Sequence, residues 1–365
     1  MNLSKTKKSD SYLVSVFLAW FISRFIVIAT MWFADLFALN EEREFTSQGF
    51  QLWDAGWYQQ LISVGYNQLG EEAFRFFPGF VFFGKLLKPL VGGDAVWASV
   101  LIANLFSLIT FIFLYRLVIA ENGSPNRAKR TVWLLALSPA AFVLVWGYAE
   151  SFFIALTLIV FLALKKQNWK MVALFTCLAG LTRPTGALLS IAVVAAPGFS
   201  VIRNGFKNRF ECLVASFGGP IGVLIFLLWS NSQNEKNWIP FTVQKELRGG
   251  FVDPIRRFIS GVKEIVELDS DGLHVLVALG LALLLVTVWR NLPRHYFSYA
   301  LVSLLVATSA ENLNSLERYA MTAFPFVMAL AIFSERKHIK RMIYPVSAVC
   351  LVVLTAASFM GHYVP

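Results

Sequence analysis

Apolar runs approaching bilayer thickness recur along this chain, at about 12–37, 95–119, 131–148, 150–164, 170–182, 184–202, 211–230, 273–289, 295–310, 319–334 and 342–361. A helix of about 20 apolar residues crosses a hydrocarbon core, and backbone placed there must satisfy its own hydrogen bonds. The runs therefore predict an all-α polytopic membrane protein of about 11 transmembrane helices. Pro139, Pro220, Pro325 and Pro345 fall inside them and mark places where a span breaks or bends. With 57% hydrophobic and 15% charged residues, the chain has room for one membrane domain over 1–365 and none for a large soluble one. The first run, at about 26 residues, outlasts the apolar part of a signal peptide and is expected to stay as a helix.

A net charge of +10 raises nucleic acid as a partner, but its distribution points to cytoplasmic loops instead. If the N-terminus is cytoplasmic, 19 of the 32 Lys and Arg fall between spans on the inner side, from Lys5, Lys7 and Lys8 to Arg336, Lys337, Lys340 and Arg341. Of the acidic residues, only Asp10, Glu121, Glu211 and Glu335 fall there. This topology leaves two long extracytoplasmic loops, 38–94 and 231–272. Each reads as interfacial helix: in the first Trp53, Trp57, Leu61 and Val64 are spaced for one face, and in the second, from Pro254 to Leu268, Ile255, Phe258, Ile259, Val262 and Val266 are.

Charge at membrane depth is costly and persists where it is paired or lines a polar cavity. In this topology Asp54, Glu150, Arg183 and Arg318 surface on one side, which predicts a single extracytoplasmic cavity. Asp54 reads equally as a helix-terminal acid and as a general base, with Tyr58 one turn along the same face. Glu150, in the tight turn Tyr148-Ala149-Glu150-Ser151, either caps the following helix or binds sugar hydroxyls. Arg183 precedes Pro184, so an extended residue meets a helix start, a geometry suited to an anionic phosphate; the alternative is a side chain reaching for lipid headgroups. Arg318 invites the same two readings, with Glu317 as a local partner. Arg24, near the middle of the first span, needs a partner such as Asp35, Glu150 or a lipid phosphate. Asp269-Ser270-Asp271 is better placed to cap a helix than to hold a metal, and His274, His295, His338 and His362 are scattered. Cys177, Cys212 and Cys350 are far apart and form neither a disulfide framework nor a metal knuckle. No cofactor is indicated, and a divalent cation stays compatible with the reading.

Trp53-Asp54-Ala55-Gly56-Trp57-Tyr58 with Gly65-Tyr66, then Phe76-Phe77-Pro78, Leu137-Ser138-Pro139, Tyr148-Ala149-Glu150-Ser151, Leu178 to Gly186 and Glu317-Arg318-Tyr319 with Phe324-Pro325 resemble, in order and spacing, the PIG-V family of GT-C membrane mannosyltransferases. The likeness is dense from about 53 to 186 and thin afterwards. The chain departs from the family at Phe80-Val81-Phe82, where a second proline is common, and at Ala149, where Ser is common. The resemblance implies a GT-C-like bundle and an inverting transfer of a sugar, above all mannose, from a polyprenyl-phosphate donor to an acceptor hydroxyl on a glycolipid, glycan or protein. Asp54 would be the base. Trp53, Trp57, Tyr58, Phe77, Pro78, Tyr148, Glu150, Ser151, Arg183, Glu317, Arg318 and Tyr319 would line the substrate site. The partners would be the donor, the acceptor and membrane lipid, with no nucleic acid. The compact chain points to a prokaryotic cytoplasmic membrane; in a eukaryote the counterpart is the endoplasmic reticulum. A GT-C enzyme using another lipid-linked sugar, and a transporter or flippase, are the competing readings.

Overall fold

The computed structural model describes residues 3–196, 206–234, 238–267 and 270–365, and for 3–11, 206–208, 248, 262, 264–267, 270, 271 and 273 the description is of the backbone. Residues 197–202 of the run at 184–202, with Arg203, Leu268 and Asp269, lie outside the described residues. The described residues are mostly helical, with α1 (Leu3–Phe37), α2 (Asn40–Thr46), α3 (Asp54–Ser63), α4 (Pro78–Leu87), α5 (Ala95–Ala120), α6 (Pro125–Ala136), α7 (Glu150–Lys165), α8 (Trp169–Thr182) and α9 (Leu189–Ala195) in the first half. There follow α10 (Phe206–Ser216), α11 (Gly218–Gln233), α12 (Ile239–Arg248), α13 (Pro254–Glu267), α14 (Ser270–Asn291), α15 (Arg294–Ala307), α16 (Leu316–Thr322), α17 (Pro325–Phe333) and α18 (Lys337–Phe359). An isolated bridge between Phe251 and Ala310 is the one β-type pairing among the described residues.

This is an all-α polytopic membrane protein. Among the described residues five helical stretches are long and apolar enough to cross a bilayer: Tyr12–Phe37, Ala95–Ala120, Arg209–Gln233, His274–Asn291 and Lys337–Phe359. α16 and α17, which meet at 87°, make a sixth if the bent pair is taken as one broken span. The other runs resolve into shorter pieces, and burial explains why they are still apolar. α7 has 16 residues and is buried on nearly every side, so its apolar surface meets protein rather than lipid.

Loop 38–94 contains α2, α3, α4 and several 3-10 turns. The expected face of Trp53, Trp57, Leu61 and Val64 needs correction. Trp53 precedes α3, Val64 follows it and is 43% exposed, and the buried stripe is Ala55, Tyr58, Gln59, Leu61 and Ile62. That stripe lies against α4 and α5, so packing rather than the tryptophans fixes the helix's rotation. In α13, Ile255 and Ile259 are exposed while Arg257 is buried. An apolar edge turned outward suits a helix lying in an interface. Val262 and Val266 are outside the described side chains.

α8 crosses α11 at backbone contact, as membrane helices do where small residues meet. A Cβ on Gly180 would lie 2.2 Å from the Gly219 carbonyl oxygen, and one on Gly222 would lie 2.1 Å from that of Cys177. Both obstacles are backbone and cannot rotate aside. Gly180→Ala is expected to cost about 1–3 kcal/mol, as overpacking generally does, and to lower the thermal midpoint in detergent. An unchanged midpoint would show slack between the two helices. The crossing also fixes the end of α8, where Arg183 begins the next turn.

Candidate active site

Four chain breaks deliver the four charges. Asp54 is the first residue of α3, reached through Trp53 at φ 56°, a left-handed value that a bulky residue adopts only under constraint. The constraint is visible: the Trp53 indole donates to the Ser358 carbonyl in α18 at 2.9 Å, and a Cβ on Gly56 would strike the Gln51 carbonyl oxygen at 2.4 Å. Glu150 opens α7 after a 3-10 turn, Ala141–Leu144, and an irregular bend. Arg183 ends α8 in extended conformation before Pro184, as the X-Pro geometry requires. Arg318 lies in α16, the first limb of the broken span.

The charges form one alternating line. Arg318 donates to Asp54 at 2.5 Å and lies 3.4 Å from Glu150 through its Nε. The same Glu150 oxygen, Oε1, accepts from Arg183. The tyrosine rings form its walls: Tyr319 lies beside both guanidinium groups, at 5.4 Å from Arg318 and 5.6 Å from Arg183, and Tyr148 is 5.6 Å from Arg318. Exposure is graded along the line. The Glu150 and Arg318 side chains are 1% and 5% exposed, Arg183 13% and Asp54 30%. The two ends, a carboxylate and a guanidinium, are therefore the reachable ones.

The middle has unused capacity. Glu150 Oε2 and the Ser151 hydroxyl are buried without a hydrogen-bond partner, which is costly unless something else supplies one. Burial alone would raise the Asp54 carboxyl; Arg318, followed by Arg75 and Arg183, outweighs it and holds Asp54 below the ordinary carboxylate range. The Tyr58 hydroxyl is pushed up, chiefly by burial. Among the described residues no three His, Cys, Asp or Glu side chains converge as metal ligands would.

Other sequence candidates are placed differently. Glu317 is not the partner of Arg318: it binds His274 Nδ1 at 2.9 Å and accepts from the Tyr363 hydroxyl at 2.7 Å. Neither contact had a sequence signal, since both partners come from distant segments. Arg24 pairs with neither Asp35 nor Glu150; its donors go to neutral groups. Arg183 engages Glu150, so the picture of it reaching for headgroups does not hold. Trp57 stacks on Phe76 at 5.9 Å, and Tyr58 packs between Phe76 and Phe80. Phe77 is core, 4.5 Å from Phe226, and Pro78 starts α4.

Residues 32–203 match the family model for Mannosyltransferase (PIG-V). That stretch is similar to the PIG-V family. The matched stretch holds Asp54, Tyr148, Glu150 and Arg183, while Arg318 lies beyond it and is brought back by the fold. GPI alpha-1,6-mannosyltransferase 2 of Cricetulus griseus is 34% identical over 183 residues, covering 46% of this chain and 36% of that protein. The Rattus norvegicus and Homo sapiens proteins of the same name are 34% and 32% identical over 142 residues, 36% of this chain and 28% of each. The matches thus span about a third of those relatives' length.

Proposed function

We propose that this chain is an inverting mannosyltransferase that uses a polyprenyl-phosphate mannose donor at the extracytoplasmic face of its membrane, with Asp54 as general base. The observation that carries the reading is the graded line Asp54–Arg318–Glu150–Arg183, whose reachable ends are a carboxylate and a guanidinium. The match of residues 32–203 to a mannosyltransferase family supports the sugar, and the GPI mannosyltransferase activity of the relatives supports transfer to a glycolipid.

The acceptor oxygen attacks the anomeric carbon, the bond from that carbon to the donor's phosphate oxygen breaks, and the phosphate leaves with the electron pair. The acceptor's proton passes to an Asp54 oxygen. Arg183 and Arg318 neutralise charge growing on the leaving phosphate, where preorganised donors matter most. Glu150 Oε2 and the Ser151 hydroxyl are unpartnered but enclosed, so sugar hydroxyls would reach them only as Arg318 turns aside. Arg318 links the two events. An incoming phosphate competes with Asp54 for its guanidinium, and as Arg318 turns toward the phosphate, Asp54 loses its counter-ion and becomes more basic.

Purified chain offered a panel of polyprenyl-phosphate sugars, followed by mass analysis of the products, tests the reading. Mannose transfer is expected; transfer of another sugar alone would change the donor, and solute transport without transfer would overturn the enzyme. Arg183→Ala should raise the donor KM by roughly ten- to a hundredfold, the loss of one charged hydrogen bond, with a smaller effect on kcat. An unchanged KM would leave Arg183 as an anchor for Glu150 only.

A further inference from the structure

Arg24 sits in α1 with 7% of its surface exposed, and every one of its N–H donors is used. Nε donates to Asn104 Oδ1 at 3.0 Å. One terminal nitrogen serves the Ser23 hydroxyl at 2.7 Å and the Trp20 carbonyl at 3.3 Å; the other serves the Ser107 hydroxyl and the Leu144 carbonyl, the latter at 3.0 Å. None of these acceptors is a carboxylate. The Trp20 and Phe111 rings flank the guanidinium at 4.9 and 5.7 Å. No donor remains for a lipid phosphate, so the charge is held by dipoles alone.

What those dipoles belong to gives the arrangement its meaning. A 3-10 turn ends at Leu144 and the backbone of 145–149 that follows is irregular up to α7, so at membrane depth the carbonyls of 144–149 must find partners within the protein. Leu144 finds Arg24. Val145 finds the Asn104 amide, at 2.9 Å. Arg24 also dictates which way Asn104 faces: with Oδ1 turned to the guanidinium, Nδ2 must point to the Val145 and Val100 carbonyls. Around the bend, the Trp146 indole meets Met31 Sδ at 3.1 Å, and Gly147 sits so close to α5 that a Cβ would lie 2.1 Å from the Ser99 hydroxyl. The residues that emerge from this clamp are Tyr148, against Arg318, and Glu150, which touches both arginines.

We propose that Arg24 is a positioning residue for the catalytic centre: with Asn104 it grips the Leu144 and Val145 carbonyls and so sets where Tyr148 and Glu150 stand relative to Arg318 and Arg183. The proposal rests on the reading of that centre as the transfer site. A planar fork serving five acceptors is needed because lysine, with three donors on one atom, cannot span Asn104, Ser107 and Leu144 at once.

The test compares Arg24→Gln, Arg24→Lys and the milder Asn104→Ala in the purified full chain, by hydrogen exchange, thermal midpoint, and kcat and KM for polyprenyl-phosphate mannose. In all three, exchange over 144–150 is expected to quicken by about tenfold or more while the remainder of α1 and α5 stays protected. kcat should fall by about ten- to a hundredfold, the cost of a misplacement on the order of 1 Å, with donor KM within about threefold of wild type. Lysine should restore the thermal midpoint but not kcat. Unchanged exchange at 144–150 in Asn104→Ala overturns the clamp, and does so even for a chain that transfers no mannose, which would instead defeat the proposed function. Faster exchange with wild-type kcat overturns the positioning role, as does a kcat that falls only in step with the folded fraction.

Discussion

Asp54→Asn is expected to lower mannose transfer by roughly a hundred- to ten-thousandfold, the span typical of general acid–base catalysis, while the chain still folds, inserts and binds donor. Asparagine keeps the shape of the carboxylate and can keep a hydrogen bond to Arg318, but it cannot take a proton. Single-turnover transfer and donor binding, measured separately, should part company in this variant. Retained turnover would assign the base elsewhere. The wild-type pH profile carries a second expectation. Because Arg318 holds Asp54 below the ordinary carboxylate range in the free protein, the acid limb of kcat/KM should lie below that range too. Once donor phosphate draws Arg318 away, the carboxyl becomes more basic, so the acid limb of kcat should lie at higher pH than that of kcat/KM. Coincident limbs would mean that donor and Asp54 do not compete for Arg318. The same shift has a stability consequence of fixed sign. A depressed folded-state value contributes stability above the unfolded carboxyl's pKa, and that contribution is lost as pH falls through the lower folded value.

Arg318→Met is expected to be the most disruptive single change, because it removes the cation touching both carboxylates. Breaking a buried pair by deleting one partner costs about 3–5 kcal/mol, comparable with much of a domain's net stability. A large fall in thermal midpoint in detergent and a low yield of folded protein should follow, with transfer absent. Combining it with Asp54→Asn removes one of the stranded charges and should recover part of the midpoint without recovering transfer. A double variant no more stable than Arg318→Met would show that Asp54 is hydrated rather than paired. Arg318→Lys should fall between, since one ammonium replaces a fork whose Nη and Nε face different carboxylates.

The members of the charge line were legible in the sequence because ionised groups beside apolar runs are expensive and few. Their pairing was not. Glu317 precedes Arg318 in the chain and looked like its partner, yet His274 and Tyr363 claim it from 43 and 46 residues away. Helix rotation was equally hidden: Trp53 and Trp57 suggest a shared face, but Trp53 sits outside α3 with a left-handed backbone that no periodicity encodes. Most apolar runs marked helix, but 131–148 covers only the end of α6 and then the bend before α7, and no run could separate lipid-facing surface from protein-facing surface, which is why buried α7 reads like a span.

The exposure of the two carboxylates also fits how long each would wait, on the ribosome, for its cation. Glu150, almost wholly enclosed, is followed by its cation Arg183 after 33 residues, so it need not wait long for neutralisation. Asp54 waits 264 residues for Arg318. It is also the carboxylate left 30% exposed, able to remain hydrated at the membrane edge through that interval. The centre is therefore closed from its C-terminal side, by the broken span, and until that span inserts the matched family stretch holds an acid with its main counter-ion still unsynthesised.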